Sequence, residues 1–197
     1  MAIAIYLYSG APLKNLIILG IIIIVALAIL IKIEPYRLNR WAIFLNPETD
    51  PLGKGYQIKQ SLIAVGSGGI VGKGLGLSEQ KYGYLPQPFS DSIFAVLAEE
   101  TGFLGSLCII ILFFVFALRG LMISQSYNTK NVEDKFKSLL SVGIVTWITF
   151  QAFVHIGANI GFLPLTGIPL PFISYGNSAL IAEFLALSIL LNISKHQ

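Results

Sequence analysis

Residues 16–31 read LIILGIIIIVALAILI, sixteen positions without a charge, and the flanking Lys14 and Lys32 bound a stretch long enough to cross about 30 Å of hydrocarbon as a helix. That stretch decides the fold class. With no water to bond, its backbone must satisfy its own N–H and C=O groups, and a helix does so within one segment. We read it as a span and not as a cleavable leader. Another apolar stretch, Ala2 to Tyr8, precedes it, and no small-x-small cleavage site leads into a soluble domain.

The rest of the chain agrees. Its 197 residues are 55% hydrophobic and 12% charged, with a mean hydropathy of +0.77, too apolar for a surface facing only water. Further spans are read near residues 92–118, 138–160 and 177–193, and residues 1–9 look like the tail of another. The expectation is an all-α polytopic transmembrane helix bundle, a single membrane domain over 1–197 with about four complete spans plus a partial first one. The net charge of +3 is spread over scattered basic residues, which argues against a nucleic-acid partner. Cys108 is the single cysteine, so an intrachain disulfide and a multi-cysteine metal site are excluded.

Charge between the spans sets the expected topology. Arg119, Lys130, Lys135 and Lys137 cluster in residues 119–137 and Lys195 lies in the tail, whereas Gly161 to Tyr175 carries no charge. The positive-inside bias then places 119–137 and the C-terminus in the cytoplasm, and parity places a large loop, about residues 35–91, on the extracytoplasmic side. Within it, Tyr56 to Val65 is amphipathic and suits a helix lying at the membrane interface.

Several polar constellations invite chemistry. Residues 66–76, GSGGIVGKGLG, hold six glycines in eleven positions, a density that marks tight turns or close backbone approach. Nucleotide readings fail. The P-loop spacing puts Ser67 where glycine is required, and the dinucleotide spacing puts Val71 there. Asp91 sits where the aqueous loop meets the next apolar run; it reads equally as a helix N-cap and as a group that meets an amphiphilic substrate. Glu99, Glu100 and Glu183 lie inside spans, where an ionisable group is costly; buried helix-to-helix hydrogen bonding is favoured over direct chemistry. Gln151, His155 and Asn159 recur every four residues as one polar stripe, which lacks the ligands of a metal site and suits interhelical packing. Pro164, Pro169 and Pro171 forbid a regular helix in the closing segment, whose irregular backbone must be buried in protein or line a wet cavity.

Three long stretches, in order, carry a resemblance: FLNPETDPLGKGYQIKQSLIAVGSGGIVGKGLG, YLPQPFSDSIFAVLAEETGFLG and NIGFLPLTGIPLPFISYGNSALIA. The chain resembles the C-terminal half of the SEDS (shape, elongation, division and sporulation) proteins, the FtsW, RodA and SpoVE group of peptidoglycan glycosyltransferases. GLGLSEQKYGYLP is nearer the cell-division branch FtsW. About half of the family's spans, the earlier ones, have no counterpart here.

The resemblance implies polymerisation of lipid II at the bacterial cytoplasmic (inner) membrane, with release of undecaprenyl pyrophosphate. It also implies a class B penicillin-binding protein transpeptidase as partner, beside other divisome or elongation proteins. Asp91 falls on the family's essential aspartate and is expected to act as general base. Lys73 and Lys81, with amides of Gly68 and Gly69, are candidates to stabilise the leaving pyrophosphate, with a divalent cation as an optional aid. Gln57 and Ser174 complete the expected substrate contacts. A precursor transporter that gates on Glu99, Glu100 and Glu183, or a non-catalytic divisome scaffold, is the competing expectation. The family's Pro-Glu-x-His-Thr-Asp-Phe is here Pro86, Gln87, Pro88, Phe89, Ser90, Asp91 and Ser92, which removes two polar neighbours of the aspartate. Its Tyr-Gly-Gly-Ser becomes Tyr175, Gly176, Asn177 and Ser178, a milder change because asparagine tolerates left-handed backbone.

Overall fold

The computed structural model describes residues 1–10, 12–33, 36–127 and 131–195, with side chains at 1–10, 12, 14–26, 40–127 and 131–195. Seven helices follow in order: α1 (Ala2–Tyr8), α2 (Leu13–Ile33), α3 (Tyr36–Leu45), α4 (Lys54–Ser67), α5 (Ile93–Gln125), α6 (Val132–Asn159) and α7 (Asn177–Lys195). A 3-10 turn at Pro47–Thr49 links α3 to α4, and no strand occurs among the described residues. Helices α5, α6 and α7 are long and apolar enough to cross a membrane. The 21-residue α2 coincides with the first span read from sequence, and its apolar Ile17, Ile21 and Ile24 are exposed. The molecule is an all-α polytopic membrane protein.

The spans differ from the sequence reading at one place. Helix α5 continues to Gln125 and α6 begins at Val132, so most of residues 119–137 is helix and the connection shrinks to residues 126–131. Arg119, Lys135 and Lys137 therefore lie within helices and not in the connection between them.

Helix α6, at 28 residues and hence about 40 Å, separates two polar ends. At its start, Tyr8, Ser9 and Gly10 line a small cleft with Lys135 and Ser138, the Tyr127 hydroxyl donates to the Ile193 carbonyl, and Ser124 and Ser138 exchange hydrogen bonds. The α1–α2 turn, the α5–α6 connection and the end of α7 therefore share one side. At the finish of α6 stand α4, the segment before α5 and the proline-rich segment before α7.

Packing between these ends is apolar. Val145, Ile148, Ala186 and Leu190 are buried together between α6 and α7, with Phe113, Phe116 and Ala117 of α5 against them. Gly120 allows that approach: a Cβ there would stand 2.2 Å from Val145 Cγ2.

Helix α5 is broken at Gly102, whose φ of 68° and ψ of −164° lie in a region open essentially to glycine alone. Such a break exposes carbonyls before it and N–H groups after it, each costing several kcal/mol if left bare away from water. The glycine run that leaves α4 satisfies them. The N–H groups of Lys73 and Gly74 donate to the carbonyls of Glu99 and Glu100, both at 3.0 Å. Those of Phe103 and Leu104 donate to the carbonyls of Gly69 and Ile70 at 2.9 and 3.2 Å. The run is a plug seated in a helix break.

Candidate functional site

The plug explains the glycine density. A Cβ at Gly68 would lie 2.1 Å from the Ala98 carbonyl oxygen, one at Gly72 2.2 Å from that of Glu100, and one at Gly102 2.3 Å from the Gly72 nitrogen. Two backbones meet without side chains between them. Gly68 is thus a packing glycine, and Gly69 (φ +56°) turns the chain and lends its carbonyl to Phe103.

Side chains lock the plug. Glu99, wholly buried, accepts from Lys73 Nζ at 2.8 Å, Ser78 Oγ at 2.6 Å, Ser67 Oγ at 3.3 Å and the N–H groups of Glu79 and Gln80 at 3.3 Å each. Lys73 also pairs with Glu79 at 3.2 Å. Lys81 reaches Glu100 at 2.6 Å and donates to the Gly76 carbonyl at 2.8 Å. The Glu99 carboxylate holds the Lys73 ammonium above the usual lysine value, and Glu100 does the same for Lys81. Both lysines, expected to face a leaving pyrophosphate, are bound to Glu99 and Glu100 of α5 and do not line the cleft of Asp91. The glutamates, expected to bond between helices, bond to the loop.

Asp91 is placed by a second set of bonds. It does not cap α5: Ser92 holds the N-cap position, and the Asp91 Oδ1 accepts from the Ser90 hydroxyl at 2.8 Å. Residues 90–92 are held from three elements. Asn159, at the end of α6, donates to the Asp91 carbonyl at 3.0 Å; Ser174 donates to the Ser90 carbonyl at 2.8 Å; Gln57 of α4 donates to Ser92 Oγ at 3.1 Å. The Tyr175 N–H closes on the Phe89 carbonyl at 2.8 Å. Ser174, expected to touch substrate, is 2% exposed and spends its hydroxyl on this clamp.

The polar stripe of α6 serves the same assembly. His155, buried, has Nδ1 2.8 Å from the Ile168 carbonyl, and Gln151 donates to the Pro169 carbonyl and to Glu183, both at 3.0 Å. The other Glu183 oxygen accepts from the Phe172 N–H at 2.8 Å, which fixes a non-glycine residue at φ 64°. The closing segment is therefore irregular backbone pinned by protein groups, and its Leu165 and Leu170 are buried.

The clamp leaves the Asp91 side chain half-buried in a cleft of about 210 Å³ lined by Arg40 of α3, Lys54 and Gln57 of α4, and Leu165, Thr166 and Gly167 of the closing segment. Gly167, at φ +71°, turns the chain beside the aspartate in a conformation that favours glycine. Burial lowers the Lys54 pKa, the Arg40 charge lowers it further, and Asp50 opposes both. Arg40 and Lys54 were not singled out from sequence. No local pattern marks them, because only the folding of α3 and α4 over the closing segment brings them to Asp91.

The lining of this cleft is poor in metal ligands. Asp91 is its one carboxylate, two cationic side chains share the wall, and no group of three His, Cys, Asp or Glu residues suited to a metal occurs among the described residues.

A helical membrane bundle with one broken span, a plug seated in the break and a carboxylate held in a cationic cleft at one end defines the class: a polytopic membrane protein with a built polar site at its surface. The chain belongs to the FtsW/RodA/SpoVE family, described as cell cycle proteins, whose profile matches residues 1–197. It is 44% identical over 188 residues to stage V sporulation protein E of Bacillus subtilis (strain 168), covering 95% of this chain and 50% of that protein. It is 45% identical over 186 residues to a protein of Tolumonas auensis named "Probable peptidoglycan glycosyltransferase FtsW", covering 94% and 48%. A solved structure reported as a peptidoglycan synthase complex that coordinates polymerization and crosslinking superimposes with a TM-score of 0.70 at 26% identity, over 98% of this chain and 52% of that one. The chain spans about half the length of the curated relatives it matches.

Proposed function

We propose that the chain is the acceptor-activating half of a peptidoglycan glycosyltransferase that polymerises lipid II. Family membership supports this reading, and one observation carries it: the Asp91 main chain is held by Asn159 of α6, and its neighbours Ser90 and Ser92 by the closing segment and α4, while its carboxylate faces a cleft. Its Oδ1 accepts from the Ser90 hydroxyl at 2.8 Å, and Oδ2 faces Gly167 across the cleft.

Asp91 takes the proton of the acceptor sugar 4-hydroxyl as that oxygen bonds to the donor anomeric carbon. The bond from that carbon to the diphosphate breaks with its electron pair, and undecaprenyl pyrophosphate leaves. Lys73 and Lys81 act through the plug, holding α4 and the first turns of α5 in register. The charge pattern of residues 119–137 and Lys195 supports a cytoplasmic C-terminus and an extracytoplasmic Asp91 cleft in the bacterial cytoplasmic membrane. The synthase complex it superimposes on supports a class B penicillin-binding protein as partner. The transporter reading finds little support, because Glu99, Glu100 and Glu183 already have their carboxylates engaged.

The test is incubation of the purified protein and its transpeptidase partner with labelled lipid II. Glycan polymer is the expected product. Translocation across a vesicle membrane without polymer would replace this reading with the transporter.

A further inference from the structure

The plug is charged on one side of the α5 break and apolar on the other. Before the break, Lys73 and Lys81 bond to Glu99 and Glu100. After it, Ile70 and Val71 at the tip of the plug are 69% and 75% exposed, next to Phe103 and Leu104, themselves exposed. The Phe103 and Leu104 N–H groups donate to the Gly69 and Ile70 carbonyls, so the tip stands within about one turn, roughly 5 Å, of the start of the apolar run of α5. That run, Phe103 to Leu118, is sixteen uncharged residues, about 24 Å of helix against about 30 Å of hydrocarbon. At its far end the helix continues through Arg119; at its near end apolar surface continues through Ile70 and Val71. Beside the tip lies a hollow of about 370 Å³, walled by Val65, Phe94, Phe103, Leu107 and Ile110 among others. The one polar side chain in its lining, Ser106, is already bonded to the Gly102 carbonyl. Such a hollow has nothing to offer a polar ligand and suits an acyl chain.

We propose that Ile70 and Val71 are inserted among the acyl chains of the bilayer, which makes the plug an interfacial anchor for the loop that carries Asp91. Non-helical backbone enters hydrocarbon when its polar groups are met by protein, and here they are. The carbonyls of Gly69 and Ile70 accept from α5, the Gly72 N–H donates to the Gly68 carbonyl at 2.8 Å, and those of Lys73 and Gly74 donate to α5. Two branched apolar side chains at the tip then gain by leaving water, while the Lys73 and Lys81 pairs stay on the headgroup side of the break. The anchoring stands apart from the glycosyl-transfer reading. Its consequence rests on that reading: α4 and α5 carry both the tip and the residues around Asp91, so the anchor sets the height of the cleft above the hydrocarbon for sugars tethered to lipid.

The experiment places single nitroxide labels on the purified protein in nanodiscs of phosphatidylethanolamine and phosphatidylglycerol. Cys108→Ser removes the native thiol, and Ile70→Cys, Val71→Cys, Glu48→Cys and Ile111→Cys each supply one labelling site. Glu48, charged and exposed, is the aqueous reference; Ile111, exposed within the apolar run of α5, is the lipid reference. All four positions are exposed, so the labels displace no buried contact, and melting curves matching that of Cys108→Ser check it. Power saturation then reads collisions with oxygen, which concentrates in hydrocarbon, and with a water-soluble nickel chelate. Expected at 70 and 71 are oxygen collisions approaching those at 111 and loss of most of the nickel collisions seen at 48. Nickel collisions at 70 and 71 equal to those at 48 overturn the proposal. So does exclusion of both reagents, which would place the tip against protein and not lipid. Failure of the glycosyl-transfer reading shows separately, as wild-type polymerisation by Asp91→Asn, and moves neither label.

Discussion

The Asn159 side-chain amide donates to the Asp91 main-chain carbonyl at 3.0 Å, so the last residue of α6 holds the residue proposed as base. The same nitrogen bonds the His155 carbonyl at 3.0 Å, which fixes its direction. Removing it frees the loop without touching the carboxylate. Asn159→Ala should lower kcat for glycan synthesis on the order of 10- to 100-fold with KM little changed, because a shift of about 1 Å in a catalytic group costs that much. Steady-state kinetics on labelled lipid II check this; a change confined to KM would assign Asn159 to binding.

Glycines of the run 66–76 and of the break in α5 should separate into two classes. Gly102→Ala and Gly72→Ala place a Cβ on backbone atoms at 2.3 and 2.2 Å and should cost at least about 3 kcal/mol each. Gly66 lies in α4 with nothing within 4 Å of a Cβ, so Gly66→Ala should be neutral or stabilising by up to about 1 kcal/mol. Melting curves in detergent decide, and equal losses at all three positions would mean that the plug is not seated as described.

The two members of the Lys73–Glu99 pair should behave unequally. Lys73→Met strands a wholly buried carboxylate and should lower the melting temperature more than Glu99→Gln, which leaves Lys73 able to turn to Glu79, 3.2 Å away, and to water. The same melting assay applies. A larger loss in Glu99→Gln would show that the carboxylate is held chiefly by Ser78 and the loop amides.

Protection of the plug should depend on pH in one direction. Lys73 and Lys81 are raised above 10.5, so their contribution is complete below that value and is lost only as pH climbs through the higher folded-state pKa. Hydrogen exchange at Gly72, Lys73, Phe103 and Leu104, corrected for intrinsic rate, should be flat from about pH 6 to 9 and rise beyond about 10.5. A rise between pH 6 and 9 would place the lock elsewhere.

Much of this architecture is legible in the sequence, because spans announce themselves by length and apolarity. The run at 16–31 lies inside α2, the spans read near 92–118, 138–160 and 177–193 fall on α5, α6 and α7, and the amphipathic Tyr56–Val65 lies inside α4. The break at Gly102 is not legible, since a lone glycine in an apolar run also fits a continuous span, and the plug that makes the break tolerable lies some thirty residues earlier. Asp91 is conspicuous from its place at the loop's end, and the family resemblance assigns it. Its surroundings are not: Lys73 and Lys81 are the nearest lysines before it in sequence, yet the fold spends them on Glu99 and Glu100 and brings Arg40 and Lys54 instead. Charge near a site in sequence says little about charge near it in space.

The account depends most on the Asp91 carboxylate, and the rate of lipid II polymerisation by Asp91→Asn, in the purified protein with its transpeptidase partner, tests it most directly. Asparagine keeps the shape and removes the base. The expected result is a loss of about 10²- to 10⁴-fold; polymer made at the wild-type rate would contradict the assignment.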